Sequence, residues 1–227
     1  MKLKHLPITI AFLLLGSLCT TTVAQERGEV AVGLRGGHNV VHGAFSALSL
    51  EGTCGLTDHL IVRGGAQYAS YGRTAIEVRP TYSLPTSWGT LHARTILHHT
   101  AQASFHNVGA GVGVGFSNPH LYCSLGYYYR LYGSHGEWLN EPFNIFYELG
   151  FHLLPRVERW DLQLVFTNSE MFDLERHYQP SWIVRCDWEP SNRVGLVIDL
   201  CYKSAGMFNM SADYYQLYLK AGLCYKW

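Results

Sequence analysis

Charged side chains recur in this chain at every second position of apolar segments, and opposite signs stand two residues apart, as in Glu77 with Arg79 and Arg185 with Asp187. The residues best placed to do electrostatic work are Arg63, Glu77, Arg79, Arg94, Arg130, Glu148, Asp161, Arg185, Asp187, Asp199, Lys203 and Lys220, with Glu29, Arg35, Glu51, Arg193 and Lys226 as further members. A lining of one sign would mark an ion-selective pore. Ten bases against seven acids is a mixture instead. It reads first as neighbouring pairs that stiffen a wall and narrow any lumen, and second as a weak preference for anionic solutes.

Twelve histidines raise the question of metal or acid–base chemistry. His98 with His92, or His99 with His106, could share an ion, but no spacing resembles a dedicated zinc motif, and no metal or other cofactor is expected. Nucleophilic catalysis needs a hydroxyl and an imidazole within reach, the imidazole oriented by a third group. His98-His99-Thr100 and Ser134-His135 bring the residue types together. The first offers Thr where hydrolytic barrels carry His-x-Ser, and the second lacks the spacing that puts both groups on one strand face. Asn168-Ser169-Glu170 lies in a loop without a histidine. No catalytic residue is assigned, and a lipid hydrolase is kept as the least favoured function. Cys54, Cys123, Cys186, Cys201 and Cys224 are odd in number and scattered, unlike a disulfide framework. They read as small side chains at apolar or inner positions.

The elements that must carry these residues are strands. Tyr215, Leu217, Leu219, Ala221, Leu223, Tyr225 and Trp227 form one unbroken apolar face, and Gln216, Tyr218, Lys220, Gly222, Cys224 and Lys226 form the other. Period two means a strand between two unlike environments. Segments near 28–37, 44–56, 60–70, 74–83, 90–99, 104–116, 120–132, 143–154, 160–168, 178–188, 193–203 and 214–227 read the same way, each about the length that a tilted membrane strand requires. Ten or fourteen strands remain alternatives, because the first two segments are weakly patterned.

Links after even segments are tight and rich in turn residues, as in Leu56–His59, Ser117–Pro119 and Glu189–Asn192. Links after odd segments lengthen late in the chain, at 133–142, 169–177 and 204–213. Trp138, Met171, Phe172, Met207, Phe208 and Met210 place apolar groups in them. Such loops offer either a contact surface or a plug folded back into the interior. The tryptophans sort by rim. Trp88, Trp160, Trp188 and Trp227 lie on the tight-turn side, and Trp138 and Trp182 on the other, as interfacial girdles do.

The amino-terminal end is of another kind. Lys2 and Lys4 precede an apolar run over 8–18, and Thr22-Val23-Ala24 supplies a small-residue cleavage site. Residues 1–24 read as a signal peptide and 25–227 as one domain. Its removal takes two of the 17 basic residues and none of the 17 acidic ones. The remainder is poor in charge, and its composition points to no nucleic-acid partner.

The terminal strand ending in Trp227 resembles the signal strand of bacterial outer-membrane β-barrel proteins. The resemblance extends in pattern over the mature chain, and the small Tyr-rich barrel is similar to those of Bacteroidota-like bacteria. It implies an all-β, up-and-down antiparallel transmembrane barrel of about 12 strands in a bacterial outer membrane, with both termini periplasmic. It also implies contact with outer-membrane lipid and with the barrel-assembly machinery. Function is then expected to be a narrow channel or structural barrel with a mixed-charge lumen. The alternatives are surface binding or adhesion through the late loops, with an unidentified solute or ligand, and lipid hydrolysis.

Overall fold

A computed structural model describes residues 28–134, 136–157, 159–174, 179–206 and 214–227. The expected signal peptide lies outside the described residues. Twelve strands close into one barrel: β1 (Gly28–Asn39), β2 (Gly43–Gly55), β3 (Leu60–Ala69), β4 (Arg73–Thr86), β5 (Gly89–Gln102), β6 (Phe105–Ser117), β7 (Leu121–Ser134), β8 (Glu137–Val157), β9 (Trp160–Thr167), β12 (Ser181–Ser191), β13 (Val194–Ser204) and β14 (Tyr214–Lys226). Two short strands, β10 (Ser169–Glu170) and β11 (Asp173–Leu174), pair only with each other. Each barrel strand is hydrogen-bonded antiparallel to its neighbour in order, with β9 adjoining β12. β14 closes on β1 over eleven paired positions, Glu29↔Lys226 through Asn39↔Gln216.

Closure explains the apolar exterior. In hydrocarbon an unpaired backbone group costs several kcal/mol, so a spanning sheet must have no edge. Leu34, Leu48, Val112, Val114, Leu125 and Leu223 all point outward and are more than half exposed. A belt of that composition suits lipid and would be costly in water.

The two mouths differ. The turn after β2, the turns between β4 and β5 and between β6 and β7, and the link from β12 to β13 are short, and the carboxyl terminus lies at the same end. There Trp160 stacks on Trp188 with ring centroids 5.2 Å apart, Trp88 stacks on Phe116 at 5.1 Å, and Trp227 pairs through its backbone with Gly28. Trp182, tilted against Phe166 at 4.5 Å, and Trp138 stand toward the opposite mouth.

Two loops differ from expectation. Residues 133–142 were expected to form a long loop, but Gly133 pairs with Trp138 and Ser134 with Glu137, so β8, 21 residues long, continues with β7 as a raised hairpin beyond its pairing with β9, which begins at Glu148↔Thr167. Gly136 takes a φ of 89° at its tip, a conformation that glycine reaches without steric cost. Residues 169–177 were expected as a loop of open destination. Their first part, β10–β11, folds inward. Of the segment 204–213, positions 207–213 lie outside the described residues, Met207, Phe208 and Met210 among them.

Interior volume is shared between large and absent side chains. Ile96, Tyr128 and Phe146 are fully buried and pack together inside the wall. Facing them, β6 carries Gly109, Gly111, Gly113 and Gly115 inward, and β7 carries Gly126. A Cβ on Gly111 would lie 2.7 Å from the Tyr128 Cβ. The glycines therefore make room for rings from neighbouring strands, which the alternation of apolar and polar residues does not reveal.

If the outward face meets lipid, Leu125→Arg should cost about 2–4 kcal/mol at mid-membrane depth. Leu125→Ala should cost far less. Urea titration of the barrel folded into vesicles measures both; equal costs would place Leu125 away from hydrocarbon.

Candidate functional site

The structure brings most of the charged residues singled out above into a few inner clusters. Glu51 on β2 accepts from Arg63 at 2.5 Å and from Lys220 at 2.8 Å, tying β3 and β14 together. Arg94 on β5 donates to Glu148 on β8 at 2.6 Å, although β6 and β7 lie between. The glycines of β6 and β7 leave that span open. Glu77 and Arg79 pair on β4 as their spacing suggested.

Arg185 and Asp187 do not pair as expected. Arg185 binds Asp199 through two donors, at 2.8 and 3.0 Å. Asp187 accepts from Gln163 at 3.2 Å, and Asp161 accepts from Gln163 at 2.7 Å and meets His152 at 3.0 Å. The physical reason is register: Arg185 lies directly opposite Asp199, closer than two residues along one strand. Arg130 donates to Asn107 at 3.0 Å near the raised hairpin. Arg193 is an exposed turn residue and not part of the inner set.

For the centre of the site, the sequence offered only that Met171 and Phe172 could belong to a plug. The β10–β11 hairpin enters the barrel and places Met171 and Phe172 against Ala75. Phe172 is buried with a φ of 72°, a left-handed conformation that costs a bulky residue about 1–3 kcal/mol unless its surroundings hold it. They do so here. The Phe172 N–H donates to Glu77 at 2.9 Å, its carbonyl accepts from Arg73 at 2.7 Å, and its ring lies where a Cβ on Gly65 would be, 2.8 Å from the ring Cζ.

The hairpin acids carry the electrostatics. Asp173 pairs with Arg35, with Arg73 at 2.5 Å and with Lys203 at 3.9 Å. Burial alone would raise its carboxyl pKa; Lys203, Arg73 and Arg35 overcome that and hold it well below the ordinary carboxylate value. Glu170 accepts from the Tyr218 hydroxyl at 2.5 Å and the Cys201 thiol at 3.1 Å, with Arg35 at 3.9 Å. The Glu170 carbonyl accepts from Arg79 at 2.8 Å. The Arg35 guanidinium also lies 4.1 Å over the Tyr218 ring. Cys201 is thus a hydrogen-bonded group of the interior, beyond the small inner side chain expected of it, and lies opposite Tyr218. All five described cysteines are free.

This hairpin separates two chambers. Toward the long-link mouth a cavity of about 190 Å³ is lined by Asn39, His42, Tyr71, Arg73, Arg130 and Asp173, among others. Toward the tight-turn mouth a cavity of about 270 Å³ holds Glu51, Arg63, Arg185, Asp199, Lys220 and neighbours. Between them about 60 Å³ remains beside Glu170 and Met171. Two waters would fill a space of that size.

The hydrolase reading finds no support: its His98–Thr100 version fails on orientation, and His135 of the other lies outside the described residues. His98 points inward to Glu77 at 3.0 Å, and Thr100 shares its face, so neither meets lipid. His92 lies between Ser83 and Ser117 at 3.0 and 2.8 Å, also inside. His99 and His106 do approach on the outer face, at 3.3 Å. Among the described residues no group of three His, Cys, Asp or Glu side chains is arranged to hold a metal.

Arg73, Glu170, Asp173 and Tyr218 are the members that sequence reasoning did not place in a site, whereas Arg35 was among the expected inner charges and Met171 and Phe172 were expected either at a contact surface or in a plug. The available signal was an apolar tip, Met171-Phe172, flanked by Glu170 and Asp173 in a chain whose inner faces carry an excess of bases.

No family model matches the chain, and no curated relative does. Solved structures do. The NanC porin is 12% identical and superposes with a TM-score of 0.57 over 88% of this chain and 100% of that one. A KdgM porin in complex with disordered oligogalacturonate is 10% identical, with a TM-score of 0.52 over 88% and 99%. The translocator domain of the autotransporter NalP from Neisseria meningitidis is 15% identical, with a TM-score of 0.56 over 99% and 96%. At such identities the likeness is one of fold, and the fold is that of bacterial outer-membrane β-barrels.

Breaking a buried ion pair from one side costs about 3–5 kcal/mol. Asp173→Asn should therefore speed amide exchange at Phe172 by about a hundred- to several-thousandfold and leave the amides of β13 unchanged. The sign of the pH dependence follows from the lowered pKa of Asp173. Its contribution is complete above the ordinary carboxylate value of 3.8 and is lost as pH falls through the depressed value. The difference in exchange between the native chain and Asp173→Asn should hold steady from neutral pH down to about pH 4 and shrink only below it.

Proposed function

We propose that this chain is an outer-membrane channel for small solutes, held closed in the described conformation by the β10–β11 hairpin. The observation that carries this reading is the division of one barrel interior into two chambers, of about 190 and 270 Å³, by an inserted hairpin. A purely structural barrel needs no chambers, and its interior could be filled from the wall alone. Here the wall does fill part of the volume, with Ile96, Tyr128 and Phe146, but the strip beside β1, β4, β13 and β14 is closed by a separate hairpin anchored through side chains. A segment that enters from a loop can leave by it, whereas a wall residue cannot.

In this reading the tight-turn mouth and both termini are periplasmic, and the raised β7–β8 hairpin is external. The pattern of short turns on one side and longer links on the other supports that orientation, as does the sorting of the tryptophans. Trp88, Trp160, Trp188 and Trp227 mark the inner interface and Trp182 the outer one, in contact with membrane lipid. Residues 1–24 serve as the signal peptide, 25–227 make up the barrel, and the strand ending in Trp227 is the segment offered to the assembly machinery. The charged pairs of Arg63, Arg94, Arg185 and Lys220 line the path.

The adhesion reading is weakened by two positions on which it relied. Met171 and Phe172 are inside the barrel, while Trp138 and Leu139 remain outside on the raised hairpin.

Replacing residues 169–174 by a Gly-Ser bridge should turn a barrel of little or no conductance into an open one. Planar-bilayer recordings on the refolded native and bridged chains are the measurement. A bridged barrel that is folded and still carries no current would remove the channel reading and leave a structural barrel.

A further inference from the structure

The hairpin that closes the lumen does so with two carboxylates, and the groups that receive them stay behind on the wall. Asp173 is received by Arg35 on β1, Arg73 at the start of β4 and Lys203 on β13. Glu170 is received by the Tyr218 hydroxyl and the Cys201 thiol, and Arg79 binds its backbone carbonyl. Arg35 lies within ion-pair reach of both acids.

Glu170 and Asp173 face each other on a single rung of the hairpin. Directly opposed residues of an antiparallel pair have their Cα atoms about 4.5–5.5 Å apart. The wall therefore reads two carboxylates at the separation of one strand pair. It also has donor capacity to spare. Arg35 is 6% exposed, and its Nε, buried in this cluster, donates to nothing. A buried guanidinium nitrogen without an acceptor is costly, so the hairpin does not use all that the wall offers.

We propose that the waist formed by Arg35, Arg73, Arg79, Lys203 and Tyr218 is a binding site for small organic anions bearing two carboxylates, and that Glu170 and Asp173 occupy it as an internal substitute. This rests on the channel reading for its route of entry and names the class of solute. Withdrawal of the hairpin takes two negative charges out of the waist and leaves four cations in place on β1, β4 and β13 against one wall carboxylate, Glu77, which pairs with Arg79. Fixed cations in a narrow water-filled passage concentrate counter-ions and reject cations. The guanidinium of Arg35 offers the planar fork that suits a carboxylate. A solute anion arriving from the long-link chamber meets Arg73 first, since Arg73 and Asp173 both line that chamber. It would there compete with Asp173 for the same donor.

The test uses the chain with residues 169–174 replaced by the Gly-Ser bridge and the full-length Glu170→Gln/Asp173→Asn chain, which keeps the hairpin should the bridged chain not refold. In planar bilayers under a KCl gradient the reversal potential should show chloride favoured over potassium by several-fold. Added glutarate should block the KCl current. A further Arg35→Gln change should weaken that block at least tenfold. A conducting barrel without anion preference, or one that glutarate does not block, would overturn the anion site and leave the channel standing. Should neither chain conduct, glutarate binding to the refolded barrel in detergent, measured by titration calorimetry, decides. Binding that weakens tenfold with Arg35→Gln upholds the site within a closed barrel. Absence of binding overturns it.

Discussion

Everything in this molecule depends on one hydrogen-bonded seam, the pairing of Gly28–Asn39 with Tyr214–Lys226 that joins the first strand to the last. Without it the sheet would have two edges, each a row of unpaired N–H and C=O groups, in a medium that offers them no partner. With it the sheet has an inside and an outside, and each residue is assigned to one by its place in the alternation. The outward residues meet apolar surroundings and need no fit to one another. The inward residues share a confined space and must fit, pair or be absent.

The three responses to that confinement are visible around the barrel. On β6 and β7 the inward side chain is absent, and rings from β7 and β8 occupy the space. Between β2, β3 and β14, and between β12 and β13, the response is pairing: Glu51 with Arg63 and Lys220, Asp199 with Arg185. Along β1, β4, β13 and β14 neither suffices, and a hairpin from the β9–β12 link completes the packing. Buried ion pairs gain little net stability, because desolvation offsets most of their attraction. Their effect is selective. A hairpin that places Asp173 among Arg35, Arg73 and Lys203 has one acceptable depth and orientation, since any slip leaves charges buried and unmatched. The left-handed Phe172 is tolerated for the same reason.

That arrangement connects structure to function through charge. The wall was built with more bases than acids at this level, and the hairpin supplies the missing acids. On the channel reading, withdrawal of the hairpin would remove two negative charges from the passage, and charge is the property that governs which solutes cross.

The strands were legible in the sequence because their outer halves answer to a single uniform medium. Alternation such as Leu121–Leu131 or Tyr215–Trp227 needs no knowledge of any neighbour, and twelve segments, their order and the sorting of tryptophans between rims all follow from it. The raised β7–β8 hairpin was misread as a loop because Glu137–Pro142 carries turn-forming and polar residues, and only pairing with Gly133 and its neighbours makes them strand. Arg185 was matched to the wrong acid because register across strands decides proximity, and composition along one strand does not contain it. The closing hairpin was foreseen only as one of two destinations for an apolar loop, and its anchoring charges were not. Glu170, Phe172 and Asp173 are ordinary loop residues until Arg35 and Gly65, more than a hundred positions away, and Tyr218 on the last strand are brought around them. Local chemistry could determine which face of each strand meets lipid; which charges meet across the interior depends on contacts that exist only once the ring is closed.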